Sequence, residues 1–317
     1  MSVKQKLLSL LFDKNIKLYI KMKLNFRKLG SISLVGISVI IASACKYNQS
    51  TTQSVDEKVE SFRQTISRVL PDMEKPGDIA MLIELTGADY VPELVADTTN
   101  TDMYFGDPDW AALNLGLFTA DLAYSSAFYE TTQSLATLKA CQLLANDLEM
   151  GETFQTALLD YYSNEITEEE KDSIISMLQL ETGKIKENFN TTDRKRLYTA
   201  FATGLLIENL HLATGIIETY PDDLLPEDAK ALILREMLLV VIELRTNLDE
   251  LIDLIGEVLT DDDPKILLKE LVELQSMFKE IDINKLVKIK SPGSILTSPK
   301  LDEITTKVNE IRALIIR

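Results

Sequence analysis

The stretch "LGLFTADLAYSSAFYE", residues 115–130, decides the fold, because its pattern returns as "TGLLIENLHLATGIIE" at residues 203–218. With Gly116 laid over Gly204, Leu117 meets Leu205, Leu122 meets Leu210 and Glu130 meets Glu218. Asp121 falls on Asn209, Ser126 on Thr214 and Ala127 on Gly215. A glycine inside a helix costs about 1 kcal/mol relative to alanine. Close helix–helix contact is a gain that offsets that cost. The two segments are therefore expected to be related central helices packed tightly on each other about a pseudo-twofold. The fold class that follows is all-α, an irregular antiparallel helical bundle with an internal duplication of a central helix.

Working outward, the remaining segments keep helical spacing. Ser54-Val-Asp-Glu57 is a capping-box pattern, and Val55, Val59, Phe62, Ile66 and Val69 behind it form one apolar face. "DIAMLIELTG" reads as a short helix closing at Gly87, followed by an ordered loop through Asp107-Pro108, where proline suits a helix start. Helical patterns follow from Trp110 to Glu130, Thr132 to Leu148 and Glu152 to Tyr162. Thr167-Glu-Glu-Glu170 is a second capping box, opening a helix to Phe189. Further patterns open at Asp193 and run from Glu227 to Leu259. Asp261-Asp-Asp263-Pro264 reads as a helix cap, since the acid and glycine spacing of a calcium loop is missing. Residues 55–290 read as the helical domain, and 291–317 as a linker and a C-terminal helix. No stretch alternates as a strand would.

Charge divides the chain. Residues 1–44 carry eight basic side chains and one acid, whereas the rest holds 25 basic against 49 acidic residues. A basic head on an acidic body is the pattern of a targeting segment joined to a mature protein. The acidic body argues against a nucleic-acid partner, which needs clustered Lys and Arg, and against broad adhesion to anionic lipid.

From Leu29 to Ala44, "LGSISLVGISVIIASA" is uncharged. Sixteen helical residues reach about 24 Å, short of a bilayer's roughly 30 Å hydrocarbon core, so the run suits a signal peptide better than a permanent span. Ala42, Ser43 and Ala44 are small, and Cys45 follows at once. This resembles the lipobox of bacterial lipoproteins, with Ala42 where leucine is commonest. The resemblance implies a diacylglycerol on the Cys45 thiol, cleavage before that cysteine and acylation of the new amine. Two or three acyl chains at about 0.8 kcal/mol per buried methylene hold a protein on a membrane almost permanently. Met22 heads a basic region of ordinary signal length, so residues 1–21 are expected to be a spurious extension. Residues 45–54 read as a polar tether. Lys46 stands where the inner-membrane retention signal has Asp, and no acidic cluster follows directly; among lipoproteins this implies a periplasm-facing place on the outer membrane. "LGLFTADLAY" and "GLLIENLHLA" are in turn similar to the paired helices of uncharacterised helical lipoproteins of Bacteroidota, a resemblance that carries no catalytic residues with it.

Four residues on the central pair are candidates for a site: Asp121, Tyr124, Glu208 and His211. Glu208-x-x-His211 puts a carboxylate and an imidazole one turn apart, as half of a di-iron carboxylate centre does. His211 is the single histidine of the chain, and Ala120 and Ala123 hold the matching places in the other segment, which argues against a di-iron centre; a mononuclear site would need two more carboxylate ligands, and a helix-capping or interhelical hydrogen bond is the favoured reading. Asp121 lies in an apolar run and needs a partner, a Tyr, Asn209 or a Lys or Arg. The first reading is a polar network specifying the helix pairing; the second is a ligand pocket lined by these four residues. Cys141, among Leu138, Leu144 and Ala145, reads as an inert buried thiol. No phosphate loop, Gly-x-Ser-x-Gly or Cys–His pair is present. The expectation is a non-enzymatic, cofactor-free envelope lipoprotein that binds a protein partner or holds a structural place. A ligand-binding lipoprotein is the alternative, and a metal-dependent enzyme comes third.

Overall fold

The computed structural model describes residues 60, 76–151, 154, 156–162, 166–189, 194–258, 266–281 and 298–316. Cys45, the signal segment 1–44, the tether 45–54, the capping box at Ser54 and the aspartates 261–263 lie outside the described residues. The helices are α1 (Pro76–Leu85), α2 (Pro108–Ala127), α3 (Thr131–Asp147), α4 (Thr156–Tyr162), α5 (Glu168–Phe189), α6 (Lys195–Thr219), α7 (Glu227–Val258), α8 (Ile266–Lys279) and α9 (Pro299–Ile315). Two 3-10 turns, Pro92–Leu94 and Thr101–Tyr104, shape the segment between α1 and α2. No strand occurs among the described residues. The fold is an all-α helical bundle.

Local chemistry sets the helix starts. The Asp107 side chain accepts from Trp110 N–H at 3.4 Å, with Pro108 in the first turn, where its missing N–H is harmless. Glu170 reaches back to Thr167 N–H at 3.1 Å and to its hydroxyl at 2.8 Å, one arm of a capping box.

Helix α2 is buried without a break from Ala111 to Ala127, and α6 nearly so from Thr203 to Ile217. A helix apolar all round belongs in a core rather than at a surface. By length and composition α6 is apolar enough to cross a membrane, yet most of it is buried inside the body, as a core helix is. The hydroxyls on both helices are satisfied locally: Thr119, Ser126, Thr203 and Thr214 donate to the carbonyls of Leu115, Leu122, Thr199 and Leu210 one turn back. These bonds let a polar letter sit in a dry helix.

The glycine contact is as close as the pairing of Gly116 with Gly204 predicts. A Cβ on Gly116 would stand 1.9 Å from the Phe201 carbonyl oxygen and 2.8 Å from Leu205 N. One on Gly204 would stand 1.8 Å from the Leu113 carbonyl oxygen and 3.1 Å from Leu117 N. Each glycine therefore meets the residue three before, and the residue one after, the other glycine. The contact maps onto itself when the two helices are exchanged.

Direction is where the bundle departs from a uniform antiparallel arrangement. Two pairs of neighbours along the chain run antiparallel: α2–α3 closes from Ser126–Ser134 to Gly106–Asp147, and α8–α9 from Glu280–Lys300 to Glu270–Lys307. The central pair runs parallel. Asp109 meets Arg196 at the two N-terminal ends, the glycines meet midway, and Asp121 meets Glu208 beyond them. Three helices separate α2 from α6 in sequence, so no short turn forces them to reverse. Helix α9 packs into the same core, with Leu301, Ile304, Val308, Ile311 and Ile315 buried against the body.

Candidate functional site

Beyond the glycine contact, α2 and α6 carry their charged residues into a closed space covered by the 92–96 segment and by α9. Glu208 is fully buried and gives both carboxyl oxygens to Arg312, which donates from Nε at 2.7 Å and from Nη2 at 2.9 Å. This fork is the strongest geometry available to an ion pair, and Arg suits it better than Lys. Nη2 also donates to the Leu94 carbonyl at 3.1 Å.

Asp121, also fully buried, accepts from Ala96 N–H on Oδ2 at 3.0 Å. Its Oδ1 finds no donor among the described residues, while the Glu208 carboxyl lies within hydrogen-bonding reach. Burial first, and the Glu208 charge second, push the Asp121 carboxyl well above the usual carboxylate range; Arg312 and the Ala96 N–H pull the other way without prevailing.

His211 sits one turn beyond Glu208. Its Nε2 lies 3.1 Å from the Leu94 carbonyl and its Nδ1 2.7 Å from Asn309 Oδ1 on α9. A neutral ring has one N–H and cannot donate to both oxygens. Reversing the Asn309 amide offers Nδ1 an N–H and leaves the ring proton on Nε2, facing Leu94. Burial lowers the His211 pKa, as does Arg312; the Glu208 charge opposes them. The ring is therefore neutral near pH 7.

Tyr124 stacks on Tyr90 at 5.1 Å, and its hydroxyl accepts from Val91 N–H at 3.0 Å. Burial pushes this phenol up to about 12. It touches the segment that Asp121 also holds, but it joins the ring cluster of Tyr90 and Phe128 rather than the ion pair.

The structure thus brings Asp121, Glu208 and His211 together, with Tyr124 at the margin. Of the partners foreseen for Asp121, Arg312 is near but is bound by Glu208, and the direct donor is a backbone N–H. Arg312, Asn309 and the Leu94 carbonyl were not legible as members. Arg312 is a basic residue in the last turn of an amphipathic helix, which ordinarily signals only a C-terminal dipole partner.

These groups bond to one another and to the backbone. Glu208 and Arg312 are each other's partners, and two chain-distant elements, the 92–96 segment and α9, are tied to the central pair. At the glycine contact the two helices meet backbone to backbone. An open cleft of about 290 Å³ lies elsewhere, between the end of α6 and the start of α9, lined by Ile217, Glu218, Tyr220, Asp222, Leu301 and Asp302. It includes none of the four residues. Among the described residues no group of His, Cys, Asp and Glu could hold a metal ion. Cys141 is fully buried, and burial raises its pKa far from thiolate reactivity.

The chain was compared with protein families, curated proteins and solved structures, and none matches.

Proposed function

We propose that this chain is a lipid-anchored helical protein of the bacterial cell envelope, without catalytic activity, serving a binding or structural role. The lipid on Cys45 is its membrane contact, the periplasmic side of the outer membrane its place, and another envelope protein its partner. The observation that carries the non-catalytic reading is the Glu208–Arg312 fork. Among the described residues, the two fully buried carboxyl groups of the central pair are engaged from within the protein: Glu208 by Arg312, which also reaches the Leu94 carbonyl, and Asp121 by the Ala96 N–H. Internal duplication of the central helix belongs to the same proposal; the exchangeable glycine contacts support it.

Mass spectrometry of the purified protein tests the anchor. A mature N-terminus at Cys45 bearing diacylglycerol is expected, and Cys45→Ala should leave the chain unprocessed. A mature N-terminus elsewhere, without lipid, rejects the reading. Crosslinking in intact envelopes, followed by capture from the outer-membrane fraction, should recover the same partner repeatedly; repeated recovery of none counts against the binding role.

A further inference from the structure

Two carboxyl groups and one guanidinium share the closed space between α2, α6 and α9. Arg312 occupies both oxygens of Glu208. Asp121 has one oxygen on the Ala96 N–H and one without a donor among the described residues. An ionised carboxylate so placed loses its hydration on one oxygen and faces a second carboxylate at hydrogen-bonding distance. A proton held between the two carboxyl groups removes the like-charge penalty, because one carboxyl can then donate to the other. The same pairing of two acids around one proton occurs wherever like charges cannot both ionise in a dry site.

We propose that Asp121 is held as a neutral carboxylic acid whose proton is shared with Glu208, and that this proton latches the 92–96 segment and the C-terminal helix onto the central helix pair. The latch has three arms. Asp121 grips Ala96 N–H, Glu208 grips Arg312, and Arg312 with His211 grips the Leu94 carbonyl. Loss of the proton sets two negative charges against one guanidinium in a dry space, and the repulsion is relieved when the 92–96 segment that covers Asp121 lifts and lets water reach the carboxylate.

The groups around Asp121 are Tyr124 on its own helix, Tyr90 from the preceding segment, Cys141 on α3, Glu208 on α6 and Arg312 on α9. Tyr90, Tyr124 and Cys141 are all raised by burial and remain uncharged at neutral pH, so they add no further negative charge beside Asp121. The rival place for the proton is His211, whose two acceptors would suit an imidazolium. Its burial and the neighbouring Arg312 oppose that charge.

The full chain carries one histidine, so labelling its ring with nitrogen-15 gives a single, assigned pair of signals. At pH 7 the shifts of a neutral ring protonated on Nε2 are expected; imidazolium shifts would overturn the proposal. Infrared spectra should show a protonated carboxyl C=O band in the wild type that vanishes in Asp121→Asn. That variant keeps the shape and supplies an N–H toward Glu208. Absence of the band overturns the proposal, as does failure of this neutral isostere to fold. Amide exchange provides the third reading. Protection at Ala96 should fall several-fold as the pH is raised in the wild type and stay level in Asp121→Asn. An equal slope in both proteins would overturn the latch.

Discussion

The contact between α2 and α6 has two halves that hold the same helices by opposite means. At Gly116 and Gly204 the backbones touch, with no side chain between them. One to two turns further on, Asp121 and Glu208 fill the gap with charge and draw in Arg312 from the far end of the chain. The first half is fixed by shape and is indifferent to pH or salt. The second is fixed by proton and charge occupancy, and its free energy depends on conditions. Dispersion and close packing in a dry contact have no titratable group to respond with, whereas a buried ion pair keeps the desolvation cost of every charge it holds.

The most severe break of this comparison is Gly204→Val. Its Cβ would stand 1.8 Å from the Leu113 carbonyl oxygen, so the helices must separate. Loss of the cooperative unfolding transition by circular dichroism is expected, at or beyond the upper end of the ~1–3 kcal/mol usual for overpacking. Arg312→Met leaves Glu208 buried without its cation and should cost about 3–5 kcal/mol in urea unfolding. The double variant Arg312→Met with Glu208→Met should regain much of that loss, because the penalty lies in the orphaned charge.

The pH response separates the halves next. The Asp121 pKa is raised on folding, so its contribution is full below the unfolded value of about 3.9 and is lost as pH rises toward the folded value. The His211 pKa is lowered, so the unfolded chain takes up its proton first and stability falls below about pH 6.5. The two slopes oppose each other between those values. Asp121→Asn should remove the loss on the alkaline side and His211→Gln the loss on the acid side, each read from unfolding midpoints across pH. A glycine that takes no part in the helix contact provides the control. Gly183 in α5 has open space around it, and Gly183→Ala should stabilise by about 1 kcal/mol. The smallest effect belongs to Arg196, paired with Asp109 at the exposed entrance of the same helix pair. There solvent screens the charges, and Arg196→Ala should cost under about 1 kcal/mol, less still in high salt.

How far the letters reached can be judged residue by residue. Gly116 and Gly204 could be matched on paper because a glycine inside an apolar helix needs a reason, and close approach is the commonest one. Asp121 in a greasy run likewise announced a partner, since a buried charge without one is too costly to persist. The groups that surround Asp121 and Glu208 were not written nearby. Arg312 lies on an unremarkable amphipathic helix, Leu94 contributes only a carbonyl, and Ala96 only an N–H. Backbone groups carry no sequence signature, and a long-range ion pair leaves no periodicity.

The sequence by itself determined that the body is helical, where most of the helices begin and end, which two of them form the centre, and that Cys141 is buried. It did so because propensity, capping and apolar spacing are local, acting within one or two turns. The tertiary structure decided that the central pair runs parallel, that α9 closes the core, and that Asp121, Glu208, His211 and Arg312 share one dry space. Those outcomes depend on how distant segments meet, where packing volume and the cost of unpaired charge choose among arrangements that local letters leave equal.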